Sequence, residues 1–195
     1  MSFPVAAVTS LAYATPAWPS WAMQLSFGSL ALASFVFWAM RPASGTNGHP
    51  QLHALDTFNS CAVCVVSTMM HVSPASAAVC CGAQLAVSAA LAMSNRAAQR
   101  WRSSLRTIGL STALTSLVLL DVAVWVSFVP RARARLPDVL LRLWVAAGSK
   151  YVARRIWAGR KNHPGFATTA MDLLTGVWHV GSAWAFELGH AAPPP

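Results

Sequence analysis

Trp18 to Met40 reads WPSWAMQLSFGSLALASFVFWAM, about 23 residues without a charge, closed by Arg41 and a Pro, Gly, Ser and Asn loop that runs to Pro50. At 1.5 Å per residue, a helix of that length crosses the roughly 30 Å of hydrocarbon in a bilayer, so the stretch predicts a transmembrane span. The rest of the chain has the same character. Of 195 residues, 55% are hydrophobic and only 10% charged. A soluble domain carries roughly a quarter charged residues, so composition alone points to a membrane protein with one bundle.

Further apolar runs follow. Leu52 to Val72 predicts a second span, with Asp56 near its start and Ser67 and His71 near its end. Pro74 breaks the chain, and Ala75 to Met93 predicts a third, rich in Ala, Ser, Cys and Gly, small residues that let helices approach closely in lipid. Asn95 to Arg106 is expected to be a basic loop, and Thr107 to Phe128 a fourth span with Asp121 inside it. Leu136 to Trp157 is interrupted by Asp138, Arg142, Lys150, Arg154 and Arg155, and reads as a short tilted span with snorkelling ends or as an amphipathic surface helix. Gly165 to Leu188 is the last span. The predicted fold class is all-α: a multi-pass transmembrane helical bundle of six helices, or a seven-like arrangement, over 18–190, with an N-terminal tail over 1–17 and a Pro-rich tail over 191–195.

The net charge of +9 lies in short connections between apolar runs, where it marks topology and contacts with anionic lipids; nucleic acid is excluded as a partner on that ground. With six spans, ten basic residues fall in the connections after the first, third and fifth, against Arg131, Arg133 and Arg135 on the other side. The positive-inside rule makes the ten-residue side cytoplasmic. Cys61, Cys64, Cys80 and Cys81 all lie in apolar helices and read as packing residues, since a C-x-x-C turn within lipid is poor ground for redox chemistry. The tryptophans read as interface anchors, and His49, His53, His163 and His190, at span ends or in loops, as solvated.

Two polar stripes stand out against this background. Asp172, Thr175 and His179 recur at i, i+3 and i+7 in the last span and share one helix face. Ser67 and His71 stand four residues apart in the second span. Ionisable groups inside spans are expensive and face the bundle interior, which makes both stripes candidate functional positions. The residues also admit a plainer reading: hydroxyls bonded back to their own helix carbonyls, and neutral imidazoles donating to a neighbouring helix.

The segment Val65-Val-Ser-Thr-Met-Met-His71 resembles the F-S-T-x-Y-H stretch in the second helix of the transmembrane protein 8 and myomaker family. That family is a branch of the CREST superfamily, which also holds the alkaline ceramidases and the progestin and adipoQ receptors. Thr175-Gly-Val-Trp-His179, followed by Gly181-Ser-Ala183, is similar to the family's H-S-x-W-H and Gly-Ser-Ala stretch in its seventh helix. The resemblance implies a zinc ion held by one His of the second helix and two of the seventh, with a Ser and an Asp attending the bound water, and hydrolysis of lipid amides or esters. Carried across, it assigns Ser67 a catalytic role and His71 and His179 roles as metal ligands; a third, oxygen ligand would have to come from Asp172, two turns from His179 on the same face, or from Asp121 in the fourth span. The family's other seventh-helix His falls on Thr175, and its third-helix Asp falls near Gly82. The chain is also about one helix short, around Lys150 to Gly165. The last span would then run parallel to the second, with His71 and His179 differing in depth by roughly 5 to 10 Å.

Two functions follow. One is a CREST-type zinc hydrolase with a degenerate site. The other is a non-catalytic membrane scaffold or accessory subunit that binds lipids or partner helices. Either belongs in the plasma membrane or an endomembrane.

Overall fold

The computed structural model describes residues 21–40, 49–129, 132–159 and 164–190. Seven helices and no strand occur among them: α1 (Trp21–Ala39), α2 (Pro50–Val72), α3 (Pro74–Met93), α4 (Asn95–Ile108), α5 (Leu110–Phe128), α6 (Ala132–Ala158) and α7 (Pro164–His190). The tails expected over 1–17 and 191–195 lie outside the described residues.

Helices α2 to α5 are joined through single residues, each of a type that stops one helix and starts the next. Ser73 is extended, and its hydroxyl accepts from Ser76 N at 3.1 Å while Pro74 takes the first helical position, where a missing N–H costs nothing. Ser94 repeats the device, accepting from Ala97 N at 3.2 Å. Gly109 has φ +84, a left-handed value that a side chain resists, and its N–H closes α4 on Leu105 O.

The segment 95–106, expected to be a basic loop, is therefore a helix. It is amphipathic: Ala98 and Leu105 are buried, Trp101 half-buried, and Arg100 and Arg106 are exposed. The reason is cooperative, since Ser94 caps the start, Gly109 ends it, and Ala98 and Trp101, of a stripe at i, i+3, i+7 with Leu105, pack onto α2. Trp101 donates from Nε1 to Thr57 Oγ1 at 3.1 Å and meets Phe58 edge-on at 5.3 Å between ring centroids. The interrupted segment around Leu136 is one long helix, 27 residues in α6, which absorbs Pro137 as its sixth residue.

Thr57 and Ser60 of α2 share a cavity wall with Ser111 and Leu114 of α5, and about two turns further along both helices Thr68 meets Asp121. So α2 and α5 run parallel, with α3 carrying the chain back to the starting end and α4 lying there. Lys150 and Arg154, late in α6, return to that same end, where Arg154 Nη1 donates to Ser111 Oγ at 3.2 Å. Helix α6 packs most extensively on α7, where Gly181 permits close approach: a Cβ there would stand 3.2 Å from Ala146 Cβ and 3.5 Å from Arg142 O.

An apolar core that includes Met23, Phe27, Val63, Val66 and Trp125 also encloses polar residues, and many large apolar side chains lie on the outside. Ser26, Asn59 and Ser67 are fully buried and Gln84 is 2% exposed, whereas Val79 (74%), Leu119 (61%) and Trp144 (76%) face outward. Helices α3 and α5 are each long and apolar enough to cross a membrane, and Trp21–Phe37 is a shorter apolar helix. The four cysteines are free thiols; Cys61, Cys64 and Cys81 are buried, in keeping with a packing role.

Candidate functional site

Three polar groups lie inside the bundle. The first joins α1, α2 and α3. Gln84 donates from Nε2 to Asn59 Oδ1 at 2.7 Å and accepts from Ser26 Oγ at 2.6 Å. Ser29 donates to the same Asn59 oxygen at 2.8 Å, and Asn59 Nδ2 donates to Leu55 O at 2.9 Å and to Ser88 Oγ at 3.1 Å. Both amides thus find partners for oxygen and nitrogen alike, which fits a structural tie between helices.

The second group lies at the far ends of α2 and α5. Ser67, Thr68 and His71 fall on one face of α2 because i, i+1 and i+4 lie within one turn. Across from them, Asp121 of α5 is 8% exposed. Its Oδ1 lies 3.1 Å from Thr68 Oγ1 and 3.5 Å from His71 Nε2, and the Ser67 hydroxyl is hydrogen-bonded to the same carboxylate. Thr68 also lies 2.8 Å from Cys64 O, so its single proton is shared between the two acceptors. Ser67 therefore reaches across to another helix.

The third surrounds a cavity of about 300 Å³ at the basic end of the bundle. Asp56 and Ser60 of α2, Leu114 of α5, Lys150 and Arg154 of α6 and Trp178 of α7 are among its walls. Lys150 Nζ sits 4.6 Å above the Trp178 ring, and Asp56 accepts from Ser34 of α1.

No family model, curated protein or solved structure matches the chain. The residues themselves must carry any assignment.

Ser67 and His71 do come together, and the acid that joins them is Asp121. The side chains of Asp172, Thr175 and His179 lie outside the described residues. Trp178, next to His179 in the chain, lines a cavity with Asp56 and Ser60, and Ser60 precedes His71 by eleven residues of α2, roughly 16 Å of helix. Gly82, where the resemblance expects an acid, is exposed, with nothing within 4 Å of the place a Cβ would take. His53, expected to be solvated, is instead half-buried, its ring edge-on to Phe37 at 5.7 Å.

A tetrahedral zinc with bonds of about 2.1 Å sets neighbouring donors about 3.4 Å apart, and His71 Nε2 and Asp121 Oδ1 at 3.5 Å match two of its corners. A catalytic zinc requires three protein donors, and no group of three or more His, Cys, Asp or Glu occurs among the described residues. Asp121 was missed as the central residue because its partners are 50 and more positions away in sequence; its place in the middle of an apolar run was the available signal.

Proposed function

We propose that the chain is a multi-pass membrane protein of six spans, α1, α2, α3, α5, α6 and α7, with α4 lying along the cytoplasmic face. Its role is non-catalytic: it holds membrane lipids and partner helices, and its Ser67, Thr68, His71 and Asp121 cluster is an altered form of a CREST-type centre. The membrane reading is carried by the large apolar side chains on the outside, Val79, Leu119 and Trp144 among them, and is supported by the two helices long and apolar enough to cross a membrane. Helix α4 supports the orientation, since Arg96, Arg100, Arg102 and Arg106 lie at the end where α3 stops and α5 starts. The non-catalytic role is supported by how the polar groups are spent: the Asp121 carboxylate accepts from Ser67 and Thr68 and faces His71, ties that hold α2 to α5.

The convergence of a Ser, a His and a carboxylate favours a second reading, a zinc-dependent hydrolase of lipid amides or esters with Ser67, His71 and Asp121 at its centre. It requires a further donor, from His179 or Asp172. Zinc content of the detergent-purified protein, with turnover of a fluorescent ceramide alongside, separates the two. The non-catalytic role predicts no tightly held zinc and no turnover. One zinc per chain, lost in His71→Ala or His179→Ala together with turnover, overturns it in favour of the hydrolase.

A further inference from the structure

The cavity at the basic end belongs neither to the Asp121 cluster nor to the amide tie, and its walls divide by chemistry. Leu114 and Trp178 provide apolar surface; Lys150 and Arg154 provide two cations; Ser60 and Asp56 form the inner side. The outer residues Tyr151, Arg154, Ser111 and Ala147 are exposed. They belong to α5 and α6, which touch each other sparingly, so the cavity opens sideways between those two helices rather than only along the bundle axis. A sideways opening between two spans faces lipid. Its level is also fixed: it lies at the end where α4 places its arginines, the level of lipid headgroups on the cytoplasmic face.

We propose that this cavity binds the anionic headgroup of a membrane lipid, a phosphate or carboxylate held between Lys150 and Arg154, with the first part of an acyl chain lying along Leu114 and Trp178. The occupant requires the six-span arrangement proposed above. Volume limits what enters: about 300 Å³ is at the small end for a ligand site, enough for a headgroup and a few methylenes, while the rest of the chain runs out between α5 and α6 into the bilayer. Charge selects the sign. Lys150 lies close enough to Asp56 to act on its carboxyl group, and Arg154 remains in excess over that pair, so the net field at the mouth favours an anion. Arg154 is held towards the mouth by its bond to Ser111 and Lys150 by the Trp178 ring, which places both cations before a ligand arrives.

The test uses the full chain. Retention in alkaline carbonate-washed membranes is measured first and bears on the membrane reading alone. Protein purified in dodecyl maltoside is then titrated with phosphatidic acid or phosphatidylcholine and read by native mass spectrometry, with inorganic phosphate as competitor. Phosphatidic acid is expected to bind about tenfold or more tightly than phosphatidylcholine and to resist displacement by inorganic phosphate. Lys150→Gln/Arg154→Gln abolishes the preference, and Leu114→Trp, which fills the cavity but keeps both cations, lowers binding as well. Arg133→Gln, at the opposite end of α6, leaves it unchanged. A membrane-retained protein that binds the two lipids equally overturns the proposal while the membrane reading stands, and so does binding unchanged in both cavity variants. Displacement by inorganic phosphate overturns it too, by showing that a free anion is all that the site holds. Release by carbonate removes the membrane reading itself.

Discussion

Asp121→Ala is the most informative single change, because the carboxylate serves several groups at once and each has a different fallback. Thr68 loses a partner at 3.1 Å but keeps the Cys64 carbonyl at 2.8 Å, so its share of the cost is small. Ser67 is fully buried, and the His71 side chain is 4% exposed; both lose a carboxylate. Interhelical hydrogen bonds in lipid are worth about 0.6 kcal/mol on average and up to about 1.7, so two of them amount to about 1 to 3 kcal/mol. For a chain of this size that lowers the melting midpoint by about 3 to 10 °C. Asp121→Asn keeps an oxygen in the same place and should cost less than about 1 kcal/mol, since Ser67 and Thr68 still have an acceptor. The assay is thermal or dodecyl-sulfate denaturation of the detergent-purified protein, followed by circular dichroism or tryptophan fluorescence. The reasoning fails if Asp121→Ala melts with the wild type, because the carboxylate then holds nothing. It fails equally if Asn is as damaging as Ala, because charge rather than hydrogen bonding would then be what matters.

Gln84→Leu strands the Ser26 hydroxyl and takes a donor from Asn59, both fully buried, and is expected to cost about 2 kcal/mol in the same melt; an unchanged midpoint would show that the amide tie is idle. Gly181→Val places a branched side chain where even a Cβ stands 3.2 Å from Ala146, so α6 and α7 should separate and limited proteolysis between them should speed up, while Gly82→Ala, with open space around it, should not alter the melt. Trp101→Ala removes both the Thr57 bond and the Phe58 contact, and should release α4 from α2 at a cost of about 3 kcal/mol, seen as faster hydrogen exchange confined to 95–108. For topology, single cysteines placed at Asn47 and Asn162 in a cysteine-free background should react with a membrane-impermeant maleimide only after the cytoplasmic face is exposed, and one at Pro130 should react from the other side; the reverse pattern would invert the orientation.

Much of this protein could be read directly from its residues. Long apolar runs with few breakers read as helices, so the all-α class and most helix positions follow from composition and from punctuation such as Ser73-Pro74. The sorting of basic residues into two unequal groups was equally legible, being a property of the linear order. Helix α4 was not, because its arginines outweigh its short apolar stripe; only the packing of Trp101 and Ala98 on α2 makes the stripe count. The meeting of Asp121 with Ser67 and His71 lay wholly beyond the sequence. Which acid faces which imidazole depends on the relative rotation and depth of α2 and α5, and those are set by close packing between helices, a sum of many small contacts that no local pattern records.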